Sequence, residues 1–150
     1  MKITDIVKPE NVIIDLPVPA KVQLLRELAG LAAKRLGIEE APVLAALQKR
    51  ESLGSTGIGK GVAIPHANIE TITEPFMLFV RLRKPIAFDS VDDLPVGIVF
   101  LILVPAHKAS SHLNLLSRIA RWTTSQAWLA AIGSATSREA IHALLAAEEA

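Results

Sequence analysis

The longest apolar run in the chain constrains its fold more than any other feature does. Residues 96–104 read Val-Gly-Ile-Val-Phe-Leu-Ile-Leu-Val, a β-rich composition with no polar side chain on either face. Such a run predicts a strand that is buried on both sides, and therefore other elements that cover both faces of its sheet. The run is about half as long as a membrane-spanning helix, so it predicts no transmembrane segment.

Helical and extended patterns alternate along the rest of the chain. Proline and glycine mark the ends of several of them. The patterns predict strands at 10–16, 62–64, 76–83 and 96–104, and helices at 20–36, 41–53, 110–122, 125–132 and 137–147. Strands that alternate with helices predict a single α/β layered domain over residues 1–150, with a mixed β-sheet flanked by helices on both faces.

Composition argues against several classes of protein. The 16 Lys and Arg residues balance 15 Asp and Glu residues, and no basic stripe is interleaved with aromatic side chains, so no nucleic-acid-binding surface is indicated. The absence of cysteine excludes a disulfide framework, thiol catalysis and cysteine metal sites. The N-terminus has charges every few residues and no apolar signal-peptide stretch, so we expect a soluble, cytoplasmic protein.

A glycine-rich segment, Gly54-Ser-Thr-Gly-Ile-Gly-Lys-Gly61, joins the second predicted helix to the strand at 62–64. It comes within one residue of a P-loop, but Gly61 stands where a hydroxyl side chain should hold magnesium, and a P-loop runs from strand to helix. The dinucleotide fingerprint G-x-G-x-x-G is also missing. Glycines let the backbone approach a ligand closely, or they form a tight connection without a ligand, and the spacing alone leaves both readings open.

His66 is the first candidate for a reactive group. It follows a short apolar strand and Pro65, at the point where we expect the chain to leave the sheet. Loops at strand ends commonly carry reactive groups on a rigid scaffold. Because the proline fixes the preceding backbone, the imidazole is held at a defined angle.

His112 is the second candidate, and it has a structural alternative. It lies near the start of the helix at 110–122, where free N–H groups and the helix dipole favour an anion. Its neighbours on the same helix face are Leu115, Leu116 and Ile119, so it can equally be a core histidine that bonds one backbone carbonyl.

Arg50 is the third candidate. It continues the inner face of the helix at 41–53 toward the glycine-rich segment, although an ordinary solvated cation at a helix end would show the same pattern. His107, in a loop, and His142, in the last predicted helix, are expected to have structural roles.

These residues do not match the common catalytic or metal-binding patterns. The chain has no H-E-x-x-H pattern for zinc and no G-x-S-x-G elbow of a serine hydrolase. Two histidines, an arginine and a glycine-rich segment remain, without a recognisable metal or nucleotide pattern, and we expect no cofactor. Histidine can itself act as a nucleophile toward phosphorus.

The segment from Arg50 to Ala67, Arg-Glu-Ser-Leu-Gly-Ser-Thr-Gly-Ile-Gly-Lys-Gly-Val-Ala-Ile-Pro-His-Ala, closely resembles the active-site signature of the fructose/mannitol family of enzyme IIA domains. These domains belong to the bacterial phosphoenolpyruvate:sugar phosphotransferase system. The resemblance covers nearly the whole chain, including the segments at 8–12, 85–96, 99–105 and 112–116. Within the family, the chain looks most like the stand-alone nitrogen-regulatory enzyme IIA. Gly97, in place of an acidic residue, and Trp122-Thr-Thr-Ser, in place of a more charged helix end, depart from the pattern and leave partner preference open.

The resemblance implies a role for each candidate residue. His66 would be phosphorylated through its Nε2 atom, and His112 would donate a hydrogen bond to the phosphoryl group. Arg50 would supply positive charge nearby, since phosphoryl transfer depends on positioning and electrostatic stabilisation. As our own inference, backbone N–H groups of the glycine-rich segment would supply further phosphate-binding donors at Thr56, Gly57 and Gly59.

Three functions compete at this point. The leading one is a regulatory phosphocarrier of the nitrogen branch, which accepts a phosphoryl group from a histidine phosphocarrier protein and docks on target proteins in one phosphorylation state. A sugar-specific enzyme IIA that passes phosphate to a IIB partner during fructose or mannitol uptake would use the same site. A binding module without phosphotransfer is the third, and the intact arginine and histidine pair speaks against it. We expect no nucleic-acid partner and no direct membrane insertion.

Overall fold

A six-stranded mixed sheet forms the centre of the computed structural model, which describes residues 2–108 and 113–149. The strands are β1 (Val12–Leu16), β2 (Gly57–Gly59), β3 (Val62–Ala63), β4 (His66–Ile69), β5 (Phe76–Ile86) and β6 (Val96–Pro105). They follow the order β1-β5-β6-β3-β2 across the sheet, and β4 also pairs with β6. The long strands β5 and β6 are antiparallel, whereas β1 runs parallel to β5, and β3 and β4 run parallel to β6.

The α-helices in the described residues are α1 (Lys21–Leu36), α2 (Glu40–Ser52), α3 (Leu113–Trp122), α4 (Gln126–Ser134) and α5 (Arg138–Glu149). Local chemistry explains several of their ends. α1 stops at Gly37, which has a left-handed φ of 67° and an N–H that reaches the carbonyl of Ala33. α2 accommodates Pro42 because the N–H groups of a first turn have no partner within the helix. α4 begins after Ser125, whose hydroxyl accepts the N–H of Trp128 at 3.1 Å.

Helices cover both faces of the sheet, as the long apolar run predicted. Its side chains alternate between two cores: Val99, Leu101 and Leu103 lie under α1 and α2, whereas Phe100 and Ile102 lie under α3, α4 and α5. Each of these five residues is at most 2% exposed. The predicted class, an α/β layered domain with a mixed sheet and helices on both faces, is confirmed.

The two departures from the enzyme IIA pattern have different surroundings. Trp122 is 8% exposed and packs on Trp128, with 5.8 Å between the ring centroids, so it belongs to the core under α3, α4 and α5. Gly97 lies in β6, where an added Cβ would meet Pro85 at an ordinary contact distance of 3.5 Å. The tryptophan is therefore a packing residue, whereas the position of the glycine has room for a side chain.

Within the described residues, the predicted helices and long strands agree with the structure to within about three residues, but three local predictions are wrong. The segment at 57–59, predicted as part of a loop, is strand β2 and pairs antiparallel with β3. Lys60 and Gly61 connect the two strands with φ angles of 58° and 81°, the positive values that a tight hairpin turn requires. The first strand is shorter than predicted because Pro9–Asn11 form a 3-10 helix.

The prediction that the chain leaves the sheet at His66 is also wrong. His66 begins β4, and β3 and β4 lie one after the other along β6, with Val62 opposite Ile98 and His66 opposite Ile102. Between them, Pro65 has no N–H to donate, but its carbonyl accepts the N–H of Ile102 at 3.0 Å. The proline therefore interrupts the pairing without ending it.

The helix predicted at 110–122 is described from Leu113 onward, as α3. Its predicted first turn, which contains His112, lies outside the described residues. Within 2–108 and 113–149, no helix is long and apolar enough to span a bilayer.

Candidate functional site

His66 and Arg50 meet at the end of α2. Arg50 lies in the last turn of this helix, and α2 packs against β4, whose first residue is His66. The Nε atom of Arg50 donates to Nε2 of His66 at 3.2 Å. A terminal nitrogen of the same guanidinium donates to the carbonyl oxygen of Gly54 at 2.9 Å, at the start of the glycine-rich segment. The structure thus turns the arginine toward the histidine rather than toward open solvent.

Two contacts fix the tautomer of the His66 ring. Nδ1 lies 2.8 Å from the carbonyl oxygen of Ile64, and because a carbonyl can only accept, Nδ1 carries the proton. Nε2 accepts the N–H of Arg50 and is therefore unprotonated. The lone pair of Nε2, which is the nucleophilic position of this tautomer, faces the arginine.

The surroundings of the His66 ring favour its neutral form. Burial has the largest influence and lowers the pKa of His66 below its ordinary value of 6.5. The bond to Ile64 and the charge of Glu51 raise this pKa, whereas the charge of Arg50 lowers it further. With a lowered pKa the ring is mostly uncharged near neutral pH, the state in which a histidine can attack an electrophile.

A cavity of about 300 Å³ opens beside the ring. Parts of α2, the glycine-rich segment, β4 and α3 form its wall. The lining combines polar and charged residues with apolar ones: Arg50, Ser55, Thr56, His66 and Ser117, and Ile58, Ile64, Leu116 and Ala120. A small anion with several acceptor oxygens suits a wall that offers an arginine, hydroxyl groups and an imidazole.

The three residues of the glycine-rich segment that were predicted to bind phosphate have different places. Thr56 lines the cavity, but its N–H already donates to the Glu51 carboxylate at 2.8 Å. Gly57 donates its N–H to the hydroxyl of Ser55 at 3.0 Å. Gly57 and Gly59 both belong to β2 and are absent from the described lining. A phosphate-binding role for the N–H groups of Thr56, Gly57 and Gly59 stays a prediction. For Thr56 and Gly57, it would require the present hydrogen bonds to change.

Of the other histidines, His142 has a backbone contact and His107 is exposed. Nε2 of His142 lies 3.2 Å from the carbonyl oxygen of Val7, which ties α5 to the N-terminal segment. Neither histidine is part of the described lining of the cavity. The described residues do not include His112, which directly precedes α3 in the sequence; Leu116 of that helix lines the cavity.

Sequence reasoning missed two charged side chains next to the site. Glu51 directly follows Arg50, yet its side chain is only 6% exposed, and its carboxylate pairs with Nζ of Lys21 at 2.9 Å. The available signal was the Arg-Glu pair that begins the signature segment. A helical pattern does not reveal that a carboxylate at the helix end is buried.

The sequence is similar to proteins of one family over almost its whole length. Residues 5–148 match the family model described as "Phosphoenolpyruvate-dependent sugar phosphotransferase system, EIIA 2". Among curated relatives, the "Nitrogen regulatory protein" of Bradyrhizobium diazoefficiens is 42% identical over 146 residues, which are 97% of this chain and 95% of the relative.

Solved structures have the same fold. The crystal structure of nitrogen regulatory protein IIA-Ntr from Neisseria meningitidis has a TM-score of 0.91 at 33% identity, over 95% of this chain and 98% of that one. The complex of enzyme IIAMTL and phosphorylated enzyme IIBMTL from Escherichia coli contains a chain with a TM-score of 0.79, over 94% of this chain and 97% of that one. Its identity is 19%, so this likeness shows the fold alone.

Proposed function

We propose that this chain, which belongs to the EIIA 2 family of the phosphoenolpyruvate-dependent sugar phosphotransferase system, carries its phosphoryl group on His66. Family membership makes it a phosphocarrier of that system. The assignment to His66 rests on one observation: an unprotonated Nε2 faces Arg50 at the cavity, while Nδ1 is tied to the carbonyl of Ile64. We take residues 1–150 as one phosphocarrier domain.

Nε2 of His66 is the attacking atom in this proposal. As the Nε2–P bond forms, the bond from phosphorus to the donor's nitrogen breaks, and the donor nitrogen keeps that electron pair. Nδ1 keeps its proton and its bond to Ile64 throughout, so the phosphorylated ring stays oriented. The protein contributes positioning and electrostatic stabilisation of the phosphoryl oxygens.

Arg50 must change partners during the transfer. Before transfer, its Nε donates to the same lone pair that attacks phosphorus, and this bond is lost when the Nε2–P bond forms. The freed N–H can then donate to the phosphoryl oxygens, whose charge the guanidinium compensates. The bond to the carbonyl of Gly54 keeps the side chain near the site during the exchange.

His112 and the glycine-rich segment supply the other proposed donors. His112 directly precedes α3, which forms part of the cavity wall, and the family resemblance assigns it a hydrogen bond to the phosphoryl group. The N–H groups of Thr56, Gly57 and Gly59 are further candidates, although those of Thr56 and Gly57 already have partners. Arg50 is therefore the proposed donor whose N–H already lies beside Nε2 of His66.

A histidine phosphocarrier protein is the proposed phosphoryl donor. Regulatory target proteins are the proposed partners, which bind the chain in one phosphorylation state. The nitrogen branch is supported by the similarity to the nitrogen regulatory proteins of Bradyrhizobium and Neisseria over almost the whole chain. A sugar-specific enzyme IIA that passes phosphate to a IIB domain is the alternative. Its support is weaker, because the "PTS system fructose-specific EIIA component" of Haloferax volcanii, 39% identical, matches only 67% of this chain, and the similarity to the mannitol enzyme is one of fold.

Intact mass measured after phosphotransfer tests the assignment. When the wild type is incubated with phosphoenolpyruvate, enzyme I and the histidine phosphocarrier protein, it should gain one phosphoryl group. His66→Ala should gain none, because the attacking atom is missing. His107→Ala changes an exposed histidine that is not part of the described lining of the cavity and is the matched control, so it should be phosphorylated like the wild type.

The linkage has a chemical signature of its own. A phosphorus–nitrogen bond to histidine is lost in acid and survives alkali, whereas phosphate on serine or threonine behaves in the opposite way. This distinction matters because Ser55 and Thr56 line the same cavity as His66. A wild-type yield of adduct on His66→Ala, or a label that survives acid, would contradict the assignment.

A further inference from the structure

The carboxylate of Glu51 is buried at the end of α2 and holds the glycine-rich segment. Oε1 accepts the N–H of Thr56 at 2.8 Å, and Oε2 accepts the hydroxyl of the same residue at 2.7 Å. Oε1 also pairs with Nζ of Lys21 at 2.9 Å. With only 6% of the side chain exposed, these contacts replace the water that a carboxylate otherwise binds.

A continuous series of hydrogen bonds leads from this carboxylate to the ring of His66. Thr56, which Glu51 binds at both its N–H and its hydroxyl, accepts the N–H of Ile64 on its carbonyl oxygen at 2.9 Å. The carbonyl of Ile64 in turn accepts the Nδ1 proton of His66 at 2.8 Å. Ile64, whose carbonyl selects the tautomer of His66, is therefore hydrogen-bonded to Thr56, and Thr56 is hydrogen-bonded to the carboxylate of Glu51.

Lys21 anchors the other side of the carboxylate. Its Nζ donates to the carbonyl of Phe88 at 3.2 Å, lies 4.5 Å from the centre of the Phe88 ring, and is 3.6 Å from the carboxylate of Asp89. Ser55, which follows the first glycine of the glycine-rich segment, donates to the same carbonyl of Phe88 at 2.8 Å. α1, α2 and the segment after β5 thus all bind around the buried carboxylate, and its position is fixed from several sides.

We propose that Glu51 is a positioning residue for the transfer to His66, an inference that rests on the function proposed above. Through Thr56 and Ile64, it keeps Nε2 unprotonated and directed at the cavity. Glu51 does not itself bind the phosphoryl group, because a carboxylate has no N–H or O–H to donate to the phosphoryl oxygens. Without the carboxylate, the N–H and hydroxyl of Thr56 lose their acceptor. The carbonyl of Ile64, which receives the Nδ1 proton, is then held less firmly. A neutral ring that carries its proton on Nε2 has no lone pair there to attack phosphorus.

¹⁵N NMR of the His66 ring gives a readout that a purely structural role would not move. Well above the pKa of the ring, the wild type should show a protonated Nδ1 and a bare Nε2. Glu51→Ala should move a measurable share of the proton to Nε2. It should also slow phosphorylation by the histidine phosphocarrier protein by about tenfold to a hundredfold, the range for loss of a group that orients a reactive side chain.

Three further variants separate positioning from general stability. Glu51→Gln keeps an oxygen for the N–H of Thr56 and an amide for its hydroxyl, so the tautomer and most of the rate should be recovered. Leu145→Ala opens a cavity in the core under α5, where the leucine is 0% exposed, and should reduce stability without changing the tautomer or the rate. Thr56→Val keeps the shape and removes the hydroxyl contact, so it should shift the tautomer in the same direction as Glu51→Ala, by less.

The outcomes distinguish this inference from the function on which it rests. A wild type that gains no phosphate on His66 contradicts the proposed function, and the NMR comparison still tests the positioning. An unchanged tautomer in Glu51→Ala, with a rate equal to that of the wild type or of Leu145→Ala, overturns the positioning role. If Glu51→Ala does not fold, Thr56→Val decides in its place, and an unchanged tautomer there overturns the inference.

Discussion

Two regions of the molecule each contain an arginine that donates to backbone carbonyls, but the two guanidinium groups make different numbers of contacts with the protein. Arg81 lies on β5 and is directed at the end of α4. One of its terminal nitrogens donates to the carbonyl oxygens of Ile132, Gly133 and Ala135, at 3.0, 3.3 and 2.6 Å. The other terminal nitrogen lies 3.7 Å from the carboxylate of Asp15. This guanidinium closes the end of a helix, where carbonyl groups lack partners within the helix.

Arg50, at the end of α2, makes fewer contacts. It donates once to the carbonyl of Gly54 and once to Nε2 of His66, and its second terminal nitrogen has no hydrogen-bond partner among the described residues. A guanidinium has five N–H donors in a fixed fork. Most of the N–H groups of Arg81 face other groups of the protein, whereas Arg50 has N–H groups left to donate to an incoming anion. We infer from this comparison that an arginine can act on a substrate where the fold leaves some of its N–H donors without partners.

Arg50→Met should have the largest effect among the changes that test this comparison. Methionine keeps an unbranched side chain but removes the charge and every donor to the phosphoryl oxygens. Losing one preorganised donor at such a site costs about a hundredfold or more in rate. We therefore expect phosphorylation of His66 to slow by at least about a hundredfold, measured by intact mass in a single turnover, with little change in thermal unfolding.

Arg50→Lys is the companion variant. It restores the positive charge as a single ammonium group without the planar fork, so it should recover part of the rate and not all of it. A rate for Arg50→Met close to that of the wild type would make this arginine a structural residue like Arg81, and the comparison would fail.

Arg81→Met should show the opposite pattern. The variant removes a terminal nitrogen whose two N–H groups are shared among three backbone carbonyls. Since a typical hydrogen bond contributes about 1 kcal/mol, we expect the free energy of unfolding to fall by about 2 kcal/mol in urea. The rate of phosphorylation of the folded protein should not change. Arg83→Met, at an exposed arginine of the same strand, is the matched control and should leave stability within about 0.5 kcal/mol of the wild type. A slowdown in Arg81→Met as large as in Arg50→Met would contradict the distinction.

The fold was predictable from the sequence where apolar burial alone decides it. The periodic helices and the strand β6 follow from the need to bury aliphatic side chains on two faces. Strand β2 was missed because glycine has a low strand propensity, and Gly57–Gly59 are extended only because they pair with β3. The continuation of the sheet at His66 was missed for a similar reason, since Pro65 reads as a strand end until its carbonyl is seen to pair with β6.

The candidate site was predictable in part. The spacing of the signature segment and its family resemblance identified Arg50 and His66, and the structure places them in direct contact. The same reasoning could not show that Glu51 occupies the N–H of Thr56, because hydrogen-bond partners within a loop depend on the tertiary structure around it. Nor could it show which groups the two guanidinium groups contact, since these contacts depend on the tertiary structure around Arg50 and Arg81.

The pH dependence of phosphorylation should give the smallest effect. Burial first, and Arg50 in addition, lower the pKa of His66 below 6.5, so the neutral ring persists to lower pH than in an ordinary histidine. As the pH falls, the rate should therefore begin to decline at a lower pH than it would with a histidine of ordinary pKa. The unfolded chain binds this proton more readily, so the contribution of His66 to stability is complete above 6.5 and is lost as the pH falls through the lowered pKa of the folded state.

The two arginine variants sharpen the comparison in the same titration. Arg50→Met removes a positive charge that lowers the pKa of His66, so this pKa should rise, and the decline in rate should begin at a higher pH than in the wild type. Arg81 is not among the groups that shift this pKa, so Arg81→Met should leave the profile unchanged. NMR titration of the ring protons measures the same pKa without any phosphotransfer. If the titrations of Arg50→Met and wild type coincide, the charge of Arg50 does not act on the ring, and only its hydrogen bonds distinguish the two arginines.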